Sequence, residues 1–158
     1  MKIMSEPLLI TSSDPLLERL NFKPYRSRVE RRVLPFFPAP DEPQIMEINT
    51  PWGTQLTARK GDFLISEVDA PNDYWPIDPT IFEESYILIR PGYCVKKAIT
   101  LLVPLIEITK DPECEVIVVT LEGTETVKAG DFYLAKGIKG EIWAYPKEKI
   151  GDVIVPAE

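Results

Sequence analysis

The feature that most constrains this chain is a long-range internal repeat. Gly61-Asp62-Phe63 returns as Gly130-Asp131-Phe132, and the match extends on both sides of the tripeptide. Val33-Leu-Pro-Phe-Phe lines up with Leu102-Val-Pro-Leu-Ile, and Ile45-Met-Glu-Ile-Asn-Thr with Glu115-Val-Ile-Val-Val-Thr. Gly53-Thr54 matches Gly123-Thr124, and Trp75 matches Trp143. The offset is nearly constant, so a few small loop deletions reconcile the copies. A repeat on this scale means one supersecondary unit used twice. The copies are placed at 32–87 and 99–151, with a connector at 88–98, an N-terminal arm at 1–31 and a tail at 152–158.

Each copy reads as β structure. A β-rich run, Gln44 to Thr50 or Cys114 to Thr120, leads into a glycine turn. The next run, Gln55 to Lys60 or Glu125 to Ala129, alternates polar and apolar residues as a strand with one solvated face does. Gly-Asp then turns the chain and Phe63 or Phe132 opens a third strand, while Trp75 and Trp143 sit on a fourth. Asp78-Pro79 looks like the cap and first position of a helical turn. Sixteen prolines spread along the chain argue against long helices. The predicted fold is mainly β: two pseudo-repeated antiparallel units forming one barrel-like or sandwich-like body.

Residues 1–31 differ from the repeats. Ser12-Ser13-Asp14-Pro15 followed by Leu16, Leu17 and Leu20 predicts a short helix over 14–21, closed by Pro24. Lys23 to Arg32 then packs five basic residues against one acid. It is read as a basic arm lying on the acidic body or on a partner, which makes a homo-oligomer or a protein partner conceivable. No aromatic besides Tyr25 is interleaved with these charges, as a nucleic-acid arm would want.

Composition serves mainly to exclude. The 158 residues carry a net charge of −7, which disfavours phosphate backbones and anionic membranes. The longest apolar stretch, Ala98 to Ile106, falls far short of the ~20 residues of a spanning helix. The N-terminal residues lack the apolar core of a secretion signal, so the expected location is cytoplasmic. Histidine is absent, which removes the commonest general base, Ser-His and Cys-His pairs and the usual zinc sites. Cys94 and Cys114 are expected as plain thiols. No cofactor motif occurs.

Few residues remain as candidates. Asp62 and Asp131, with Glu141, are the candidate carboxylates for acid–base work in a cleft between the copies, yet aspartate in a Gly-Asp turn ordinarily binds nearby backbone N–H groups. Trp75 and Trp143 are expected in the core, with stacking on a ligand as the alternative. Trp52 has no counterpart, since Glu122 stands at its place in copy two, and it is the better ligand-facing aromatic. The acidic residues Glu67, Asp69, Asp73 and Asp78 lack the regular spacing of a calcium loop.

Thr120-Leu-Glu-Gly…Gly130-Asp-Phe…Gly140-Glu-Ile-Trp143 resembles the PGDYG family of short bacterial and phage proteins. Trp52-Gly-Thr…Gly61-Asp-Phe…Tyr74-Trp-Pro…Phe82-Glu-Glu-Ser-Tyr86 is similar to the same pattern. The chain departs from it by lacking proline before Gly61 and Gly130, by phenylalanine in place of tyrosine, and by lacking the closing Phe…Tyr in copy two. The resemblance implies architecture and no particular activity. The expected function is therefore a non-catalytic binding or assembly protein. The alternatives are a small-molecule or nucleotide-handling enzyme with carboxylates in a cleft between the copies, and single-stranded nucleic-acid binding through Trp52 and the basic arm.

Overall fold

The alternating runs become strands, and the computed structural model describes residues 6–27 and 29–157. The N-terminal residues read against a secretion signal fall partly outside the described residues, as does Arg28 of the basic run. In chain order the strands are β1 (Leu8–Ile10), β2 (Lys23–Ser27), β3 (Glu30–Pro35), β4 (Ile45–Asn49), β5 (Gln55–Arg59), β6 (Phe63–Glu67) and β7 (Tyr74–Ile77). Helix α1 (Pro79–Ser85) follows, then β8 (Tyr86–Arg90), β9 (Tyr93–Lys96), β10 (Thr100–Pro104) and the single turn α2 (Ile106–Thr109). The chain ends with β11 (Glu115–Thr120), β12 (Gly123–Lys128), β13 (Phe132–Lys136), β14 (Ile142–Pro146) and β15 (Ile154–Pro156).

These strands make two five-stranded antiparallel sheets and two smaller ones. One large sheet has the order β7-β6-β3-β9-β8, the other β14-β13-β10-β2-β15. The connections run alike in both: the central strand (β3 or β10) pairs with the strand that Gly-Asp-Phe opens, which pairs in turn with the tryptophan-bearing strand. Hairpin β4–β5 stands alone, whereas hairpin β11–β12 is joined by β1 in the one parallel pairing among the described strands.

The expected barrel does not close. Both large sheets end in unpaired edges, and β7, β14 and β15 carry Pro76, Pro146 and Pro156 there, where a missing N–H donor does least harm. Successive residues of a strand face opposite ways, so adjacent buried pairs such as Leu64-Ile65 and Leu134-Ala135 mean that both sheets are covered on both faces. Leu64 packs with Ile48 and Ala58 of hairpin β4–β5, while Leu134, Val103 and Ala144 pack with Val116, Val118 and Val127 of hairpin β11–β12 and with Ile10. The other faces carry Val33, Ile65 and Cys94 under Phe82 of α1, and Leu102, Ala135 and Ile154.

The N-terminal segment is not an arm. β2 is inserted between β10 and β15, and β3 is the central strand of the other sheet. The basic run is thus divided between two sheets, because alternation lets a strand with exposed basic side chains bury every second residue. The expected boundary at residue 31 falls inside β3, and the connector 88–98 contributes to β8 and β9. The predicted helix over 14–21 is a shorter 3₁₀ turn, Pro15–Arg19, whose first N–H groups include one bonded to the Asp14 carboxylate at 2.9 Å. Asp78 caps α1 as the sequence suggested, accepting from the N–H groups of Thr80 and Ile81.

Candidate functional site

Between the large sheets lies a cavity of about 150 Å³, the size at which a dry apolar protein cavity takes up benzene. The two sheets and the turns of both hairpins supply its walls, which include Trp52, Trp75 and Trp143. Strand register explains how charged residues come to face it. Arg31 sits opposite Glu67 on one neighbouring strand and opposite Cys94 on the other, so all three share the inner face of their sheet. Lys96 lies two residues beyond Cys94 on the same face and opposite Tyr86.

The cationic side chains rest on aromatic rings. The Arg31 guanidinium carbon is 5.5 Å from the Trp75 ring centre, and Lys96 Nζ is 4.7 Å from that of Trp143 and 5.9 Å from that of Tyr86. Trp52 and Trp75 meet at 5.4 Å with a tilt of 58°, an edge-inclined arrangement suited to the ring quadrupoles. Burial lowers the Lys96 ammonium to about 8, with Glu141 opposing that shift and Arg31 adding to it.

Glu125 ties the far wall together. Only 1 % of its surface is exposed, and its Oε2 accepts from Trp52 Nε1 at 2.5 Å and from Thr54 Oγ1 at 2.7 Å. Its Oε1 accepts from the Ala144 N–H at 3.2 Å, so one carboxyl joins the 50–54 turn, β12 and β14. Burial raises its proton affinity, and these three donors oppose that rise. Glu122, at the tip of hairpin β11–β12, is pushed up to about 8 by burial, against the Asp78 N–H that it accepts at 3.3 Å and with the help of nearby Asp62, Asp78 and Glu125.

The carboxylates of the wall are therefore committed. Glu67 is shared between Arg31 at 3.5 Å and Lys149 at 3.6 Å. Glu141, 9 % exposed, accepts from the Lys139 N–H at 2.9 Å within the turn that begins at Gly137. Uncommitted donors remain. Arg31, whose side chain is 11 % exposed, keeps Nε and Nη1 buried without a hydrogen-bond partner, and so does the hydroxyl of Thr100 on the adjoining wall. A buried donor left unpaired costs about 1–3 kcal/mol, more if charged, so such groups point to an occupant that would satisfy them.

The sequence candidates divide. Trp52, Trp75, Trp143 and Glu141 all line the cavity. Asp62 and Asp131 do not: Asp62 accepts the N–H of Arg59 in its own turn at 2.8 Å, and Asp131 is exposed at the end of a 3₁₀ turn. Both aspartates of the Gly-Asp-Phe repeats thus stand in turns outside the cavity lining. The residues that sequence reasoning missed are Arg31, Lys96, Thr100, Glu122 and Glu125. Cys94 and Cys114 are free thiols, as expected, and burial lifts Cys94 to about 11. No cluster of metal-ligating side chains occurs among the described residues, and no helix there is long and apolar enough to cross a membrane.

Comparison with protein-family models, curated proteins and solved structures finds no match to this chain.

Proposed function

We propose that this protein binds a small carboxylate-bearing molecule with a flat apolar body in the cavity between its two large sheets. The observation that carries the reading is Arg31, whose Nε and Nη1 are buried at the cavity wall without a partner while every wall carboxylate has one. A carboxylate there would accept from the guanidinium and from Thr100, and the three indoles would cover the apolar remainder. The wall is otherwise mostly hydrophobic, with a few polar groups converging on it, which is the usual constitution of a small-molecule site. Calorimetric titration with benzoate, against the neutral isostere benzamide, tests it: benzoate binds and benzamide does not. Equal binding, or none by either, would refute the role given to Arg31.

The same reading takes the chain as two copies of one PGDYG-like β unit, supported by the like wiring of the two large sheets and by the recurrence of Gly-Asp-Phe before β6 and β13. Duplication would account for a binding cavity formed where the copies meet, with the differences between them supplying its chemistry: Trp52 against Glu122, and Arg31 with Lys96 on one sheet only. An enzymatic reading gains one specific support, since Lys96 and Glu122 both titrate near 8 on the wall of one cavity, where proton transfer at neutral pH is most effective. A pH profile of ligand binding that follows neither group would remove that support.

A further inference from the structure

Lys96 is the half-buried cavity lysine that carboxylate binding leaves without a role. We propose that Lys96 is an imine-forming lysine, and that the ligand of the cavity is a small 2-oxo acid or a carboxylate-bearing aldehyde. This rests on the carboxylate site proposed above and adds the reactive carbonyl. Three observations favour it. Lys96 Nζ stacks over Trp143 and faces Tyr86 at the cavity wall, and among the described residues it forms no ion pair with any carboxylate. A half-buried lysine without an ion pair is a competent amine; burial and Arg31 bring it down to about 8 against the opposing pull of Glu141, so a usable fraction is neutral at physiological pH. Lys96 and Arg31 lie on adjacent strands of one face, two residues apart in register, which makes them diagonal neighbours ~7–8 Å apart. That separation lets one short molecule present its carboxylate to the guanidinium and its carbonyl carbon to the amine.

The step balances without any further reagent. The amine lone pair attacks the carbonyl carbon, the C=O electrons pass to oxygen, and that oxygen takes a proton. The carbinolamine then loses the oxygen as water while nitrogen gives up its proton, leaving a C=N bond between Lys96 and the ligand. Nothing is oxidised or reduced.

Borohydride trapping tests the inference on the full chain. The protein is incubated with pyruvate or glyoxylate, reduced with cyanoborohydride, and analysed by intact mass and peptide mapping. The expected result is a single adduct on Lys96, absent without the oxo acid and absent in Lys96→Arg. Arg31→Met should lower the trapped fraction about tenfold at sub-saturating ligand, the loss of roughly one charge-assisted hydrogen bond. Benzoate should compete. Adducts scattered over surface lysines, or no adduct at Lys96, overturn the proposal. Lactate, which has the carboxylate without the carbonyl, separates the two readings. Lactate binding with no pyruvate adduct sinks the imine and spares the carboxylate site, whereas no binding by lactate, pyruvate or benzoate sinks both.

Discussion

Truncating Glu125 should loosen the whole assembly, because this carboxyl bonds the 50–54 turn, β12 and β14 together. In Glu125→Ala three donors lose their acceptor: the indole N–H of Trp52, the hydroxyl of Thr54 and the backbone N–H of Ala144. Trp52 borders the cavity and can turn to water there, and the Thr54 hydroxyl can turn to Thr50 Oγ1 at 2.8 Å. The third is fully buried in β14 and cannot. An orphaned buried donor costs about 1–3 kcal/mol, and removing one partner from a buried charged network costs roughly 3–5 kcal/mol in all. The expected destabilisation of Glu125→Ala is therefore about 3–5 kcal/mol. Glu125→Gln keeps one acceptor oxygen and the shape, and should cost about 1–2 kcal/mol. Urea unfolding followed by far-ultraviolet circular dichroism measures both, with the denaturant slope checked for constancy. A loss below ~1 kcal/mol in Glu125→Ala would mean that the network is not holding the two halves and that the reasoning fails.

Glu122 has a folded proton affinity raised to about 8, so the folded state binds its proton more tightly than the unfolded one. Its contribution is fully present below the ordinary glutamate range near 4.5 and is lost as pH rises to about 8. Relative to wild type, Glu122→Gln should grow more stable across that window and stay level above it, as read from unfolding midpoints at a series of pH values; parallel curves would contradict this. The two Gly-Asp-Phe glycines should respond differently to substitution. Gly61 has φ +98° and open space around it, whereas a Cβ on Gly130 would lie 2.7 Å from Cβ of Pro112. Gly61→Asn should thus be milder than Gly61→Ala, while Gly130→Asn should be no better than Gly130→Ala, at about 1–3 kcal/mol; thermal unfolding ranks the four variants, and the same order at both sites would refute the distinction. Gly137→Ala places a methyl group against the Glu141 carboxylate, and should displace it from the Lys139 N–H. Its expected signature is a shift of the Lys139 amide resonance, and an unmoved resonance would count against it.

Much of the fold was legible because hairpins are local. Alternation located β5 and β12, the glycine turns located the hairpins, and Asp78-Pro79 marked α1. The places of β2 and β3 were hidden for a physical reason. Lys23 to Arg32 announces itself as charge, while what matters in a strand is parity: Arg31 is in phase with Val33, and both point to the inner face. Lys96 is in phase with buried Cys94, and Glu125 with buried Val127, so each functional candidate is a charged residue at an apolar position of its own strand. That signal was present in the sequence and passed over. The pairing of β2 with β10 and β15 was not readable, since partners so distant in the chain leave no local trace. Trp52, Trp75 and Trp143 could be named, but their convergence on one cavity follows only from how the sheets and hairpin turns meet.

Because all three tryptophans of the chain line the cavity, tryptophan emission excited selectively over the six tyrosines reports on that site. The most direct measurement of the central claim is a benzoate titration of tryptophan emission in wild type and Arg31→Met. The account predicts a saturable change in wild type, no saturable change with benzamide, and at least a tenfold weaker midpoint in Arg31→Met, which is about 1.4 kcal/mol. Identical titrations in the two proteins, or an equal response to benzamide, would contradict it.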